Sequence, residues 1–501
     1  MANASLQIGN GNWAIKENDL LGYSKSGTRF LPIPITMTRA TLGTRVNPSG
    51  LIENVELLGS ELVTNGDFSN GSTDWQLQYT GTGDWSITDK LNFENVNGGS
   101  AQLNVFEVGK IYKITVDYVF TSGTRLILPY DGSNFPSGGV ITTTGSVNGY
   151  TYYYTPNSTT LLIYSDGNGN GSIDNVSVKE ATIDGLARVD YTDGTASLLV
   201  EPQRTNLVTY SEDFTQWSKE ATVTLTPNYS TSPDGTNNAT RVQLDADDSV
   251  YLSSLGSSKT FSIYVKGVAG ETIRISNGVA TNFTLTGNWD RLQVYDTSGS
   301  STLIGVNTYS SVTARDIQVW GAQLEEGSYP TSYIKTQGSS VTRNKDEYTK
   351  TGISDKINSE EGVLFAEIKK DKGTQFSLIS LDKSSDSDNY IYVGYLNNTT
   401  TLRAQIKING SIVLDEDVNI GNTNVFSKVA VKYKSGDYAF FINGSKVGNT
   451  STSTDSFSDG DLDRLELGYD LNSIFKFYGN VRQLQIFKTA LSDSELATLT
   501  T

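Results

Sequence analysis

The sequence has no cysteine and no histidine, and these two absences exclude several kinds of site. Without cysteine the chain forms no disulfides and no thiolate metal centres. Without histidine it has no Ser-His or Cys-His nucleophile and no histidine-rich metal centre. No apolar run reaches 18 residues, so we expect no membrane span. The opening residues, MANASLQIGNGNW, lack the apolar segment of a secretory signal.

Positive charge is also scarce. The chain has 38 Lys and Arg against 55 Asp and Glu, which gives a net charge of −17. Phosphate recognition needs a clustered basic surface, and no such cluster is visible in the sequence. The same excess of negative charge disfavours binding to anionic membranes. We therefore expect neither nucleic acid nor a membrane as a partner.

The residues that are abundant favour β-structure. The chain contains 48 Gly and 27 Tyr, and runs such as KIYKITVDYVF (110–120) alternate in polarity between turn residues. The run FFINGSKVG (440–448) predicts two strands joined by an Asn-Gly turn. Helical patterns are rare, and the best is LSDSELATL (491–499), where Ser492 and Glu495 predict a capping box. We predict an all-β, multidomain protein.

Two stretches of the chain resemble each other at both ends. One opens with ELVTNGDFSNGSTDW (61–75) and closes with GSIDNVSVKEA (171–181). The other opens with NLVTYSEDFTQW (206–217) and closes with ARDIQVWGAQLEE (314–326). Both openings contain Leu-Val-Thr, an Asp-Phe pair and a later Trp, and similar distances separate opening from closing. This self-similarity predicts two copies of one β-sandwich module.

The repeats suggest how the chain is divided. One module is inserted into a small β unit, a second module follows, and a polar stretch leads to a C-terminal sandwich. The predicted boundaries are 1–60 pairing with 182–205 for the small unit, 61–181 for the inserted module, 206–335 for the second module, 336–355 for a linker and 356–501 for the C-terminal sandwich.

Several segments resemble a known group of proteins. TRATLGTRVNPSGLIE (38–53) and LLVEPQRTNLVTYSEDFTQW (198–217) are similar to a recurrent signature of phage tail-fibre and spike subunits. The run WGAQLEEGSYPTSYIKTQGSSVTRNKDEYTK (320–350) resembles the end of a carbohydrate-binding jelly-roll module. The C-terminal unit, which contains FFINGSKVG, is similar to concanavalin A-like or laminin-G-type lectin domains.

The resemblance implies a structural virion protein, a spike or tail fibre that binds host-surface glycans. It implies a homotrimer, made in the bacterial cytoplasm, displayed on the virion surface and attached to the particle through its N-terminal region. It also implies a protein that is not an enzyme. Two alternatives stay open: a virion polysaccharide depolymerase, and a purely architectural surface protein.

Glycan recognition favours flat aromatic faces beside fixed polar groups. Tyr150, Tyr152 and Tyr154 alternate, so they share one face of a regular strand and are candidate glycan-binding residues. An ordinary sandwich core or a trimer contact explains the same alternation. Trp85 and Trp289 are further candidates for sugar stacking, and burial is the alternative for both.

Bound calcium is a second expectation, and no other cofactor is predicted. The resemblance to carbohydrate-binding modules implies a structural calcium between the opening segment and the last strand, with Asp67 and Asp174 in the first module and Asp213 and Asp316 in the second. The carboxylate usual after the opening Phe is here Ser69 or Thr215. Asp residues that cap turns explain the pattern equally well.

Two acidic motifs need separate tests. DGNGNGSID (166–174) matches part of an EF-hand calcium loop, but its twelfth position is Ser177, which lacks the bidentate carboxylate; a Gly/Asn-rich turn is the alternative. GDLDRLELG contains Asp461, Asp463 and Glu466. On a regular strand Asp461 and Asp463 share one face and Glu466 points the other way, so we predict no catalysis by this triplet.

The polar segment VEPQRTNL (200–207) joins the small β unit to the second module. Buried charged groups require partners, so such density is typical of a packed junction. We predict that Glu201 and Arg204 are structural contacts between neighbouring domains or subunits rather than catalytic groups.

Overall fold

The computed structural model describes residues 2–16, 19–26, 29–132, 138–253, 258–296, 303–309, 313–370, 373, 376–383, 386–397, 399–469 and 475–501. The chain divides into two compact units. Unit 1 contains residues 1–55, 184–336 and 340–501, and unit 2 contains residues 56–183 with 337–339. The predicted insert, 61–181, falls within unit 2.

The chain begins with strands of unit 1. In chain order these are β1 (Leu6–Gly9), β2 (Ile15–Lys16), β3 (Asp19–Ser26), β4 (Arg29–Thr38), β5 (Gly43–Val46) and β6 (Ile52–Val55). Strands β5 and β6 form a two-stranded sheet of their own. The other four join a larger sheet, which also contains two short strands from residues 188–200 and many strands from the C-terminal third of the chain.

Unit 2 is a β-sandwich built around one long strand. Its strands are β7 (Leu57–Glu61), β8 (Gln76–Ile87), β9 (Leu91–Gln102), β10 (Tyr112–Ser122), β11 (Arg125–Ile127), β12 (Val140–Ile141), β13 (Gly145–Tyr154) and β14 (Leu161–Thr182). Strand β14 pairs with β7, β9, β10 and β11. Along β10 buried and part-exposed residues alternate, as expected for a strand with one face on the core. Ile114, Val116 and Phe120 of this strand are fully buried.

The second module, in unit 1, is a sandwich of two five-stranded sheets. After β15 (Arg188–Asp190), β16 (Ser197–Val200) and β17 (Arg204–Asn206), a 3₁₀ turn (Phe214–Gln216) leads into β18 (Ser218–Lys219), β19 (Thr224–Ser230), β20 (Ala239–Leu244), β21 (Ser249–Ser253), β22 (Lys259–Lys266), β23 (Thr272–Asn277), β24 (Val279–Thr284), β25 (Asp290–Tyr295), β26 (Leu303–Asn307) and β27 (Arg315–Glu326). The sheet orders are β18-β21-β26-β23-β24 and β19-β20-β27-β22-β25. Buried aliphatic residues such as Val242, Ile263 and Ile317 fill the space between the sheets.

The two modules open with the same local structure. In each, the Asp carboxylate accepts hydrogen bonds from the backbone and hydroxyl of the residue two positions on: Asp67 from Ser69, and Asp213 from Thr215. In each, the following Phe packs on the later Trp with ring centroids 5.1 Å apart. The repeat seen in the sequence therefore has a physical basis in these two openings.

The C-terminal sandwich has two layers. The strands of this part of the chain are β28 (Val341–Arg343), β29 (Glu347–Lys350), β30 (Glu361–Lys370), β31 (Ser377–Asp382), β32 (Tyr390–Tyr395), β33 (Thr401–Ile408), β34 (Ser411–Asn419), β35 (Ser427–Lys434), β36 (Tyr438–Ile442), β37 (Ser445–Ser451), β38 (Arg464–Glu466), β39 (Gly468–Tyr469), β40 (Phe475–Lys476) and β41 (Gly479–Phe487), followed by helix α1 (Asp493–Thr500). Of these, β28 pairs with β17, and β39 and β40 form a two-stranded sheet. One layer runs β37-β36-β35-β30-β41, and the other runs β34-β33-β32-β31-β38.

The N-terminal strands connect these two layers. Strand β1 pairs with β41, β3 pairs with β1 and β4, β4 pairs with β29, and β29 pairs with β38. Strand β16 also adds to β41. Strands β1–β4 and β16 thus belong to this sandwich rather than to a separate small β unit. The predicted pairing of 1–60 with 182–205 is present at β5 and β15, where Val46 accepts from and donates to residues of the 190–191 segment. The linker expected at 336–355 is wrong, because β28 and β29 lie there and both pair with other strands.

The predictions that rest on local sequence hold. The prediction of an all-β, multidomain fold is confirmed. Asn443 and Gly444 take positive φ values of 46° and 83°, as a two-residue hairpin requires, and join β36 to β37. Ser492 caps α1, and Glu495 completes the capping box. Among the described residues, no helix is long and apolar enough to cross a membrane.

Candidate functional site

The outward face of the β19-β20-β27-β22-β25 sheet carries a set of polar side chains. Alternation along β20 and β27 turns Val242 and Ile317 into the core, so their neighbours face outward. Arg241 lies directly across from Gln318 in the strand register, and Asp316 is two residues before Gln318 on the same face. The sheet thus fixes three planar polar groups beside one another.

Arg241 and Asp316 form a two-pronged ion pair. Arg241 Nε lies 2.8 Å from Asp316 Oδ1, and Nη2 lies 2.5 Å from Oδ2. This hydrogen bonding lowers the pKa of Asp316, and it raises the pKa of Arg241. Gln318 Oε1 accepts a hydrogen bond of 2.5 Å from Ser230 Oγ. The Arg241 guanidinium, the Asp316 carboxylate and the Gln318 amide are therefore held in fixed orientations at the surface.

Tyr229 stands beside this ion pair with 47% of its surface exposed. The pairing of β19 with β20 shifts register between Thr226 and Ser230, and Asn228 takes a positive φ of 54°. This bulge puts Tyr229 outside the regular ladder. The guanidinium of Arg241 lies 5.0 Å from the Tyr229 ring centroid, so the ring is also positioned by a cation–π contact.

Two shallow cavities meet at this place, and both include Val268 and Asp316. The first has a volume of about 340 Å³, and the second about 470 Å³. The first is lined by Tyr229, Arg241, Lys266, Gly267, Val268, Asp316 and Gln318. The second is lined by Thr222, Thr224, Gln243, Leu244, Asp245, Val268, Glu271, Ala314, Arg315 and Asp316. We refer to the two together as the Tyr229 groove.

The Tyr229 groove supplies the two kinds of contact that a sugar ring needs. An exposed aromatic face covers apolar CH surface, and oriented guanidinium, carboxylate and amide groups exchange hydrogen bonds with hydroxyls. Tyr229 was not among the residues selected from the sequence. The signal that could have found it is the run Pro227-Asn228 inside an otherwise strand-like segment, which marks a bulge that exposes the next side chain.

The selected tryptophans and tyrosines occupy other places. Tyr152 and Tyr154 are 3% and 5% exposed, and Trp85 is 8% exposed, all three within the core of unit 2. A sugar platform at these residues is therefore wrong, because their rings pack inside the sandwich. Tyr150 is part-buried and its ring packs against that of Tyr152. The alternation does put the three tyrosines on one face, and that face points inward.

Trp289 immediately precedes strand β25 and does not line the Tyr229 groove. Its ring is part-buried against Trp320 and Tyr333, and its Nε1 donates to the carbonyl of Thr231 at 3.2 Å. The structure therefore gives Trp289 a packing role on the outward face, and leaves its contact with a sugar as a prediction.

The four aspartates proposed for calcium already have partners. Asp67 and Asp213 accept hydrogen bonds within their own turns, and Asp316 is paired with Arg241. Asp174 Oδ1 accepts from the backbone N–H of Asn175. Within the described ranges, no group of three or more Asp, Glu, His or Cys could hold a metal. Calcium held by two carboxylates and backbone carbonyls in either module stays a prediction, and we derive no step through the metal.

The EF-hand-like stretch 166–174 is part of strand β14 rather than a loop. Register shifts at Gly169 make it a bulged strand, so the alternative of a hairpin turn is also wrong. Asp166 pairs with Arg125, with 2.5 Å between Arg125 Nη2 and Asp166 Oδ2. Asn168 Oδ1 accepts a hydrogen bond from Asn97 Nδ2. The polar residues of this stretch therefore join neighbouring strands.

The acidic triplet near the C-terminus is occupied by structural contacts. Glu466 is buried and its Oε1 lies 2.6 Å from Lys476 Nζ. Asp461 Oδ2 accepts from the backbone N–H of Ser458 in a turn. The backbone N–H of Asp463 donates to the carbonyl of Asp382. This arrangement gives the triplet no paired carboxylates across a groove.

Glu201 lies in a fully buried group of charges inside unit 1. Its Oε2 accepts from Arg188 Nη1 and from Arg343 Nη1, each at 2.6 Å. Arg188 also contacts Asp346, and Asp346 Oδ1 lies 2.7 Å from Arg39 Nη1. The side chains of these five residues are 0–5% exposed. We call Arg39, Arg188, Glu201, Arg343 and Asp346 the buried arginine cluster.

Arg204, the second residue selected at the junction, lies outside this cluster. Its guanidinium is 5.4 Å from the ring centroid of Tyr329, and its Nη1 donates to the carbonyl of Gln203. Arg204 begins β17, which pairs with β28. It therefore contacts the segment that leads from the second module to the C-terminal sandwich.

The buried arginine cluster should make stability depend on acid pH. Burial alone would raise the pKa of Glu201, but the attraction of Arg343 and Arg188 outweighs it and holds this pKa at about 2. A carboxylate with a depressed folded-state pKa stabilises fully above its unfolded value, and that stability is lost as pH falls from about 4.5 towards 2. We expect Glu201 to contribute roughly 3 kcal/mol that disappears over this window. Urea midpoints of wild type and Glu201→Gln should converge as pH is lowered, and a gap that stays constant would contradict the assignment.

Comparisons with known proteins bear on the C-terminal sandwich. Residues 364–497 match the family model described as the Concanavalin A-like lectin/glucanases superfamily. The predicted concanavalin-like fold of this part of the chain is thereby confirmed. A comparison with curated proteins gave no significant match.

Three solved structures illustrate distant likenesses to this chain. The Ruminococcus gnavus IT-sialidase CBM40 bound to α2,3-sialyllactose is 20% identical, with a TM-score of 0.25, covering 28% of this chain and 83% of its own. Domain 4 of AbnA, an arabinanase from Geobacillus stearothermophilus in complex with arabinotriose, is 16% identical, with a TM-score of 0.26. The match covers 35% of this chain and 84% of that domain. The CBM22 tandem of Paenibacillus barcinonensis Xyn10C is 12% identical, with a TM-score of 0.18. The match covers 58% of this chain and 98% of that tandem. The assignment of a concanavalin A-like lectin/glucanase domain rests on the family model for residues 364–497.

Proposed function

We propose that the protein binds carbohydrate chains through the Tyr229 groove. The observation that carries this proposal is the exposed Tyr229 ring held beside the Arg241–Asp316 ion pair. A pyranose ring presents CH groups on one face and hydroxyls around its edge, which matches an aromatic face next to planar hydrogen-bonding groups. The lectin/glucanase family match of residues 364–497 also supports a carbohydrate-related role.

The biological setting that we propose comes from the sequence resemblance to phage spikes and tail fibres. In this proposal the protein is a non-enzymatic virion component that binds host-surface glycans as a homotrimer. Its surface-exposed modules face the host and its N-terminal region meets the particle. Because β1–β4 are part of the C-terminal sandwich, residues of that folded domain would contribute to the attachment surface.

Removing the ring or the guanidinium should weaken glycan binding. We expect Tyr229→Ala and Arg241→Ala each to lower affinity by at least tenfold, because residues at the centre of a binding surface carry most of its energy. Tyr229→Phe keeps the aromatic face and should bind nearly as well as wild type. Affinity electrophoresis in gels containing xylan, arabinan, laminarin, alginate or host lipopolysaccharide measures the effect.

The matched control is Tyr79→Ala. Tyr79 is equally exposed, at 47%, and lies in unit 2. This variant should migrate like wild type in every gel. If Tyr229→Ala also migrates like wild type in a gel that retards the unaltered protein, the groove is not the binding site.

The virion role needs separate measurements. Mass photometry should give a particle of three times 54.4 kDa, and the purified protein should block adsorption of the phage to its host. Release of reducing ends from a bound polysaccharide would favour the depolymerase. Absence of binding to any susceptible host would favour the architectural role. A monomeric mass would contradict the proposed trimer.

A further inference from the structure

We propose that unit 2 carries a second carbohydrate-contacting surface, formed by Tyr130, Tyr164, Arg125 and Asp166. This inference rests on the proposed glycan binding, but it does not depend on the Tyr229 groove being correct. The residues come from β11, from β14 and from the segment that follows β11. We refer to them as the Tyr164 surface.

The strand register brings these side chains together on the outward face. Arg125 of β11 lies directly across from Asp166 of β14, and Leu126 lies across from Ser165. Leu126 and Ser165 are fully buried, so the alternation turns Arg125 and Asp166 outward. Tyr164 is two residues before Asp166 and shares its face. Arg125 Nε and Nη2 lie 3.0 and 2.5 Å from Asp166 Oδ2.

Two aromatic rings adjoin this ion pair. The ring centroids of Tyr130 and Tyr164 are 4.4 Å apart, with 31° between the ring planes. The hydroxyl of Tyr130 donates to the carbonyl of Gly132, and the backbone N–H of Tyr130 donates to the carbonyl of Leu162. The Tyr130 ring is therefore fixed against Tyr164, and both rings are part-exposed.

The chemistry repeats that of the Tyr229 groove with different residues. Each surface places an Arg–Asp ion pair on a long central strand, with tyrosine nearby. Arg241 contacts both carboxylate oxygens of Asp316, whereas both contacting nitrogens of Arg125 lie on Oδ2 of Asp166. The Arg125 and Asp166 side chains are 34% and 20% exposed. Ion pairs at the protein surface contribute little to stability, so the fold does not require one here. A recognition role explains why an ion pair beside tyrosine occurs in both modules, at positions that do not correspond in the repeat.

The polar edge of the Tyr164 surface extends along β14. Asn168, two residues after Asp166, is exposed, and its side-chain carbonyl accepts from Asn97 Nδ2. Asn97 Oδ1 in turn accepts from the backbone N–H of Gly167. Aromatic rings, an ion pair and oriented amides together suit a sugar ring with neighbouring hydroxyls, so we assign the ligand class as carbohydrate.

The test uses the full chain and the same polysaccharide gels of xylan, arabinan, laminarin, alginate and lipopolysaccharide. The double variant Tyr229→Ala/Arg241→Ala should keep a residual retardation in a gel that retards wild type. Adding Tyr164→Ala should reduce that residual retardation at least tenfold. Adding Tyr164→Phe or Tyr79→Ala instead should leave it unchanged. Thermal melting of every variant verifies that unit 2 remains folded, and Arg125→Gln repeats the test without altering a ring.

The outcomes separate the two proposals. Complete loss of binding in Tyr229→Ala/Arg241→Ala would support the Tyr229 groove as the binding site and overturn the proposal of the Tyr164 surface. Binding that Tyr164→Ala weakens but the groove variants leave unchanged would support the Tyr164 surface and overturn the proposal that the Tyr229 groove binds the glycan. Residual binding that neither Tyr164→Ala nor Arg125→Gln reduces would also overturn this inference. A wild-type protein that no gel retards would overturn both.

Discussion

Replacing Glu201 with Ala should lower the free energy of unfolding of unit 1 by about 3–5 kcal/mol, because the change leaves buried positive charge without its partner. Arg343 Nη1 contacts Glu201 Oε2 at 2.6 Å, and Arg188 shares the same oxygen. Both guanidiniums are almost completely buried, at 0–1% exposure. Water cannot replace the lost carboxylate at these depths, so the full cost of burying the charges becomes visible.

The matched control is Glu361→Ala at an exposed ion pair of the same unit. Glu361 Oε2 lies 2.8 Å from Lys434 Nζ, and these side chains are 28% and 51% exposed. Exposed pairs contribute roughly 0–1 kcal/mol, so this variant should melt close to wild type. Chemical denaturation followed by near-ultraviolet circular dichroism measures both. A Glu201→Ala protein as stable as the Glu361→Ala protein would show that the buried arginine cluster does not hold the unit together.

The sequence was informative wherever a structure depends on nearby residues. The Asn443-Gly444 turn, the Ser492/Glu495 capping box and the Asp-Phe openings of the two modules all involve contacts within a few residues, and local chemistry predicts such contacts. Alternation likewise predicted that Tyr152 and Tyr154 share a face. It could not say which face meets the core, because either side of a strand satisfies a period of two.

Contacts between distant parts of the chain were not visible. Leu6 pairs with Ile486, and Arg39 contacts Asp346, so their sequence separations leave no local pattern. Glu201 was selected because the polar density around it required partners, yet the identity of those partners depends on strand order. Tyr229 was missed because its exposure depends on a bulge, which interrupts the alternation that sequence reading relies on.

A fragment of residues 356–501 should fail to fold, although residues 364–497 match a lectin/glucanase family model. Strands β1, β3 and β4 connect the two layers of the sandwich by pairing with β41 and β29. They also supply fully or nearly fully buried core side chains, namely Leu6, Ile8, Leu20, Ile35 and Met37. At about 1.5–3 kcal/mol for each buried side chain, their loss removes roughly 8–15 kcal/mol as an upper estimate. That equals the whole stability of a typical domain, about 5–15 kcal/mol.

Amide NMR spectra and thermal melting of the fragment decide the matter. We expect poor dispersion and no cooperative transition for 356–501, because the removal of β1–β4 and β29 leaves strand edges and apolar surface uncovered. A full-length protein lacking only Ala2 and Asn3, which are exposed, should melt like wild type. A well-dispersed, cooperatively melting fragment would instead mean that the N-terminal strands are an addition to a self-sufficient lectin-like domain. An unfolded fragment means that the two ends of this chain fold as one domain.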